Sequence, residues 1–302
     1  MSRTLFIDGQ AGTTGLGIAS RIAGIAGWRL VTLGETERKL PASRAAAMAQ
    51  ADVTVLCLPD DAARAAVAMA PPGARILDAS TAHRVAPGWV YGFPEFLPGQ
   101  AERIATAQYV SNPGCYATGA IALLRPLIEY GLLTPDQNIA INAVSGYSGG
   151  GKAMIAAHEA ARGPAFELYA LGLAHKHVPE IMGYGGLAAR PLFVPSVGHF
   201  AQGMLVCIPV FLAQLPGQPD AARLAQAYGD YYAGARNVVA RGLATDQLRP
   251  EALNGTDMLE IFVAAHEAHG HAVLIARLDN LGKGASGAAV QNLQLMLGLN
   301  DE

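Results

Sequence analysis

The sequence is poor in charge and in cysteine. Only 15% of its 302 residues are Asp, Glu, Lys or Arg, and their near balance leaves a formal net charge of -3. No Lys/Arg run or basic stripe disturbs that balance, so the electrostatic footprint of nucleic-acid binding is missing. Long hydrophobic runs are missing as well. Pro, Gly or a charge breaks each apolar stretch short of the roughly 20 residues that a membrane-spanning helix needs. Met1 to Asp8 reads as a short apolar strand and lacks the basic start and cleavage site of a signal peptide. Cys57, Cys115 and Cys207 are too few and too widely spaced for a disulfide framework or a zinc motif. Together these absences predict a cytoplasmic protein in a reducing compartment, binding neither nucleic acid nor membrane, whose cysteines matter as thiols. Hydrophobic residues, by contrast, make up 51% of the chain, enough to fill the core of one large or two medium domains.

The first third alternates short apolar runs with Ala-rich helical stretches. Thr4–Ile7, Leu30–Leu33, Val53–Leu58 and Ala74–Leu77 are nearly continuous hydrophobic segments, as strands buried on both faces require. Leu16–Ala26, Ala42–Gln50 and Asp61–Met69 have helical spacing between them. Strand-helix-strand order of this kind predicts a parallel, Rossmann-type sheet with right-handed crossovers. Further on the pattern changes. Met204–Leu212 and Leu259–Asp279 alternate like long antiparallel strands, the second with a polar turn at Glu267–Gly270. The expected fold is therefore α/β: a dinucleotide domain of residues 1–114 and 284–302, and an α+β catalytic and oligomerisation domain of residues 115–283 with a mixed or antiparallel sheet. The helical spacing of Gly284–Leu297 is what returns the chain to the first domain in this reading.

Gly9-Gln10-Ala11-Gly12-Thr13-Thr14-Gly15 follows the first strand and opens the first helix. Its glycines allow a tight turn and a close backbone approach, and the helix N-terminal amides then meet a pyrophosphate. The spacing departs from the commoner G-x-G-x-x-G, so its position in the strand-helix unit carries the argument. Gly9, Gly12, Thr13, Thr14 and Gly15 are the expected cofactor contacts. After the second strand come Glu35, Arg38 and Lys39. Basic residues there could hold a 2′-phosphate, and a solvated charge pair is the equally simple reading; Arg38 leans the cofactor towards NADP.

Ser111-Asn112-Pro113-Gly114-Cys115-Tyr116 is the most informative segment. Pro and Gly halt a strand and a helical run from Ala117 to Tyr130 follows, which sets Cys115 in the first helical turn. There the macrodipole and free amides favour a thiolate. Cys57 and Cys207 sit inside apolar strands and read as small buried hydrophobes.

The cysteine segment resembles the active-site signature of N-acetyl-γ-glutamyl-phosphate reductases, relatives of aspartate-semialdehyde dehydrogenase. Similar matches are Asp78-Ala79-Ser80-Thr81-Ala82-His83-Arg84, Ser145–Lys152, His175-Lys176-His177-Val178-Pro179-Glu180, Gly198–Met204 and Asp279–Gly284. The compact length resembles the shorter subgroup of that family. The resemblance implies NADPH-dependent reduction of N-acetyl-γ-glutamyl phosphate through a Cys115 thioester, as a step of arginine biosynthesis by a homo-oligomer, dimer or tetramer. It implies that one of His175 and His177 is the acid/base, and His177 is chosen here. Glu180, in the first turn of a helix starting at Pro179, would orient its imidazole. It further implies that Ser80, Asn280 and Gly282 face the cofactor.

A substrate with a phosphate and a carboxylate needs convergent cations and N–H donors. Arg84, Asn112, Ser148, Gly149 and Lys152 are the candidates, with His199 and Gln202 behind them; Gly149–Gly151 would expose amides as an anion nest. His266-Glu267-Ala268-His269-Gly270-His271 looks metal-like but falls on the expected hairpin turn, and no metal is predicted. Acyl-chain length is not written in the residues themselves. The same chemistry on aspartyl, aminoadipyl or glyceryl phosphate, and a dinucleotide-binding sensor without turnover, stand as the alternatives.

Overall fold

The computed structural model describes residues 3–161 and 163–299; Met1, Ser2 and the last three positions of the predicted first domain lie outside the described residues. The chain divides into two units, Met1–Pro113 with Ala285–Glu302, and Gly114–Gly284.

In the first unit the strands are β1 (Arg3–Asp8), β2 (Trp28–Val31), β3 (Val53–Leu56), β4 (Ile76–Asp78), β5 (Val90–Tyr91) and β6 (Tyr109–Ser111). All pairings are parallel, in the order β2-β1-β3-β4-β6-β5. The connecting helices are α1 (Thr13–Ile22), α2 (Pro41–Gln50), α3 (Asp60–Met69) and α4 (Gln100–Thr106). Side chains alternate across each strand. Leu5, Ile7, Val53, Val55 and Leu77 therefore pack on one face with Ile18, Ile22 and Ile104, while Phe6, Leu56 and Ile76 meet Met48, Ala63 and Ala66 on the other. Burial on both faces is why these strands read as unbroken apolar runs. Neighbours β2 and β3 flank β1, so the strand order reverses there, and such a switch point opens a crevice at the carboxyl ends of the strands.

The second unit carries α5 (Cys115–Glu129), β7 (Ala140–Gly146), α6 (Gly151–Ala161), β8 (Phe166–Leu168), α7 (Val178–Gly185), β9 (Leu192–Gly198), β10 (Met204–Phe211), α8 (Ala221–Tyr231), β11 (Val238–Ala240), β12 (Leu259–His266) and β13 (His271–Leu278). Its sheet is mixed, in the order β11-β12-β13-β10-β7-β9-β8. Helices α5 and α8 pack on one face of it. Gly119 lets α5 ride close, because a Cβ there would lie 2.7 Å from a methyl of Val206. On the opposite face Val144, Leu205, Cys207, Val273 and Ile275 are only half-buried. The chain then passes through a π-helical turn at Gly282–Ser286 into α9 (Gly287–Met296), whose Leu293 and Met296 join the core of the first unit.

Several boundaries moved. The first helix starts at Thr13 rather than Leu16 because the glycine loop turns directly into it, and the second strand runs from Trp28 to Val31. The 204–212 and 259–279 stretches form the hairpin-linked strands expected, with Gly270 in the left-handed region closing the turn. β7, β8 and β9 had no prediction. Among the described residues no helix is long and apolar enough to cross a membrane.

Candidate active site

Gly9 takes φ +85°, and a Cβ on it would lie 2.3 Å from the Cys57 carbonyl oxygen, so only glycine lets β1 and the end of β3 come this close. A Cβ on Gly15 would meet the Gly9 carbonyl at 2.7 Å, which presses the first turn of α1 onto the loop. Gly12 caps α1 without a side-chain bond, leaving the first amides of the helix for an external acceptor. The cradle thus fits a pyrophosphate. Arg38 is exposed and pairs with Glu35 at 3.0 Å, the solvated pair of the simpler reading.

Asp78 ends β4 fully buried and organises the loop behind it. It accepts hydrogen bonds from the Ser80 amide and hydroxyl and lies 2.6 Å from His83 Nδ1. Buried Arg84 donates to the Ala79 carbonyl. Asn112 was expected to face substrate. Its side chain is instead committed to the fold, donating to Ala285 O and accepting from Asn292. Cys57, just past β3, is held as a neutral thiol: burial, then the carboxylates of Asp78 and Asp8, push it up to about 12.

In the second unit Cys115 is the first residue of α5. Glu180, buried in the first turn of α7, accepts from the Gly114 amide at 3.0 Å, so the carboxylate expected at His177 braces the peptide that precedes the cysteine. Tyr116 packs against both histidines, its ring centroid 5.9 Å from those of His175 and His177, which lie 4.7 Å from each other, and its hydroxyl donates to Ser196 O. Nδ1 of His175 accepts from the His177 amide at 3.1 Å, while its Nε2 lies 3.3 Å from the Tyr169 hydroxyl. An Nδ1 that accepts carries no proton, so neutral His175 is protonated at Nε2 and points that proton at Tyr169. Burial, opposed by a hydrogen bond with Tyr116 and reinforced by Cys115, raises Tyr169 to about 12 and keeps it neutral.

The segment after β7 forms a 3₁₀ turn, Tyr147–Gly150. The expected amide nest is only partly available, because the Ser148 amide donates to Ala201 O and the Gly151 amide to Ser148 O. The Ser148 hydroxyl accepts from Asn280 Nδ2 at 2.9 Å, which leaves its own O–H to donate. Asn280, expected at the cofactor, therefore holds this turn together, its Oδ1 also accepting from the Gly203 amide. Gln202 donates to Asp279 and His199 pairs with His158 across 2.9 Å, so neither is a bare anion donor; Lys152 projects to solvent from α6. Gly149 is exposed and Gly282 is packed, a Cβ on it falling 2.0 Å from Thr256 O. His266 and His269 lie with ring centroids 4.5 Å apart, tilted by 37°, at the β12–β13 turn, and among the described residues no group of three or more His, Cys, Asp or Glu is arranged to hold a metal ion.

Residues 115–280 match the family profile described as semialdehyde dehydrogenase, dimerisation domain, and residues 18–105 that described as semialdehyde dehydrogenase, NAD binding domain. The N-acetyl-gamma-glutamyl-phosphate reductase 2 of Pseudomonas putida is 55% identical, across 97% of this chain and 96% of that protein. N-acetyl-gamma-glutamyl-phosphate reductases of Burkholderia ambifaria and Trichormus variabilis are 52% and 50% identical, over 98% and 99% of this chain and 96% and 98% of theirs. The chain belongs to the N-acetyl-γ-glutamyl-phosphate reductase family. The reductase fold is also that of aspartate semialdehyde dehydrogenase II from Vibrio cholerae, with a TM-score of 0.73, 15% identity and 98% of each chain covered.

Some features of this reductase escaped the sequence. Gly284 approaches the cysteine so closely that a Cβ would lie 2.8 Å from Cys115 Cβ. The neighbouring Lys283 is almost fully buried, which is rare for Lys. Gly282 is named by the resemblance, but nothing in the sequence ties that stretch to Cys115, more than 160 positions away. The bracing of Gly114 by Glu180 was hidden in the same way.

Proposed function

We propose that the chain reduces N-acetyl-γ-glutamyl phosphate to N-acetylglutamate semialdehyde and inorganic phosphate, using NADPH, in arginine biosynthesis in the cytoplasm. The observation that carries this reading is Cys115 at the start of α5, with Glu180 bracing the preceding peptide and two histidines around Tyr116. The Cys115 thiolate, favoured by the helix N-terminus, attacks the acyl carbon; the C–S bond forms as the C–O bond to phosphate breaks. Arg84, the Ser148 hydroxyl and the Gly149 amide hold the leaving phosphate and the substrate carboxylate. Gly9, Gly12, Thr13, Thr14 and Gly15 cradle the cofactor pyrophosphate, with Ser80 and Gly282 lining its path. Bound NADPH supplies a hydride to the thioester carbon. His177 protonates the hemithioacetal oxygen on Cys115 and takes the proton back as the C–S bond breaks and the aldehyde leaves. This role falls to His177 because both ring nitrogens of His175 already face the His177 amide and Tyr169.

The chain works as a homodimer, with the half-buried face of the second sheet, Val144, Leu205, Cys207 and Ile275, as the contact between copies. Phosphate-dependent reduction of NADP, comparing N-acetylglutamate semialdehyde with aspartate semialdehyde and glyceraldehyde 3-phosphate, tests the activity. A strong preference for the acetylated aldehyde, lost by about a thousandfold or more in Cys115→Ser, is the expected result. Preference for another aldehyde would overturn the substrate, and an active Cys115→Ser enzyme the mechanism.

A further inference from the structure

His83 neighbours Arg84, yet the reaction above gives it no task. Its surroundings are built. Asp78, fully buried, receives the Ser80 amide at 2.9 Å and the Ser80 hydroxyl at 2.7 Å, with His83 Nδ1 at 2.6 Å. Two of those contacts fall on one carboxylate oxygen, and a carboxylate only accepts, so the His83 proton sits on Nδ1. The Ser80 hydroxyl also accepts from the Ala82 amide, and Thr81 donates its amide and hydroxyl to Asp60. From the other side Trp89 lies flat on the His83 ring, with centroids 4.2 Å apart and planes 10° apart, and Tyr109 stacks on Trp89 in turn. The Arg84 guanidinium folds back to Ala79 O inside the same loop.

The bond from His83 to Asp78 therefore closes the six-residue loop Asp78–His83 at the residue before Arg84. A long, flexible guanidinium stem binds an anion well only when its backbone origin and first rotamers are already fixed. We propose that His83 is a positioning residue that sets Arg84 for the phosphate of the acyl phosphate, through the Nδ1–H bond to Asp78 and not through the ring stack. The proposal rests on the assignment of Arg84 to that phosphate. A role confined to packing would instead be served by any flat ring on Trp89.

Two substitutions separate the bond from the stack. His83→Phe keeps a ring on Trp89 and removes the donor, while His83→Asn keeps a side-chain N–H near the Nδ1 position and removes the ring. The KM for inorganic phosphate, kcat and Tm are measured for both in the phosphorylating direction, with Arg84→Ala alongside. His83→Phe is expected to raise the phosphate KM by about tenfold or more with kcat changed far less, while His83→Asn stays within about threefold of the parent. A phosphate KM unchanged in His83→Phe, or raised equally in both variants, would overturn the proposal even where Tm falls. Arg84→Ala with an unchanged phosphate KM would overturn the Arg84 assignment itself and the proposal with it. A raised KM in Arg84→Ala beside an unaffected His83→Phe would overturn the role of His83 alone.

Discussion

The two histidines that pack against Tyr116 differ by one proton address. His175 accepts the His177 amide at Nδ1, so its remaining proton is fixed on Nε2 toward Tyr169. Replacing His177 with Asn is expected to lower kcat by about a hundredfold or more and to remove the limb of the pH profile that reports the proton shuttle. Replacing His175 with Asn should cost about tenfold and leave that limb in place, since an Asn oxygen can still accept the His177 amide. The reverse ranking in steady-state kinetics would exchange the two roles. A second consequence at this scale concerns Cys57. Its thiol is raised from 9.0 to about 12 in the folded chain, so between those values the unfolded chain releases a proton that the folded chain keeps. Stability then falls as pH rises through that window and is unaffected below it. Urea titrations at pH 8 and pH 10.5 should show a smaller loss for Cys57→Ala than for the parent, whatever the starting stability of each.

Among the elements, the start of α5 is held from two sides. Glu180 of α7 holds the Gly114 amide, and Gly284 in the π-helical turn lies against Cys115. The second contact cannot relax cheaply, because the Cys115 atoms that face Gly284 are Cβ and Cα. Gly284→Ala is therefore expected to shift the thiol by a fraction of an ångström to an ångström and reduce kcat by about a hundredfold. Alkylation kinetics of Cys115 would follow the same change; unaltered turnover in that variant would show that the turn can give way. This arrangement marks what the sequence could disclose. Elements with a strong period or a flanking glycine were legible: the first strands, the loop from Gly9 to Gly15, the cysteine at a helix start and the hairpin around Gly270. β7 and β9 were not, because Asn142, Ser145, Pro195 and Ser196 interrupt their apolar pattern. The site divided similarly. All eight candidates, Cys115, His175, His177, Arg84, Asn112, Asn280, Gln202 and His199, lie in motifs, and the side chains of Asn112, Asn280, Gln202 and His199 are hydrogen-bonded within the fold. An amide or imidazole reads the same in sequence whether its partner is a ligand or a backbone carbonyl.

For the whole molecule, the two faces of the second sheet set the expectation. One face carries α5 and α8; the other presents Val144, Leu205, Cys207, Val273 and Ile275 half-covered, with Arg277 lying over Phe262 at its margin. In the proposed homodimer this apolar face is the contact between copies. Sedimentation or light scattering of the parent should give a dimer or a multiple of it, and Ile275→Glu should shift it to monomer. A monomeric parent would exclude this face as the contact between copies.

The second unit is inserted within the sequence of the first, and that has a consequence for the order in which the protein is made. Leu293 and Met296 of α9 complete a core that begins with Leu5 and Ile7, yet they leave the ribosome only after all of Gly114–Gly284 has been synthesised. Through most of translation the nucleotide-binding sheet waits with one face only partly covered, by α1 and α4, while the inserted unit has its whole sequence in hand first. The part of the enzyme that begins earliest is finished last.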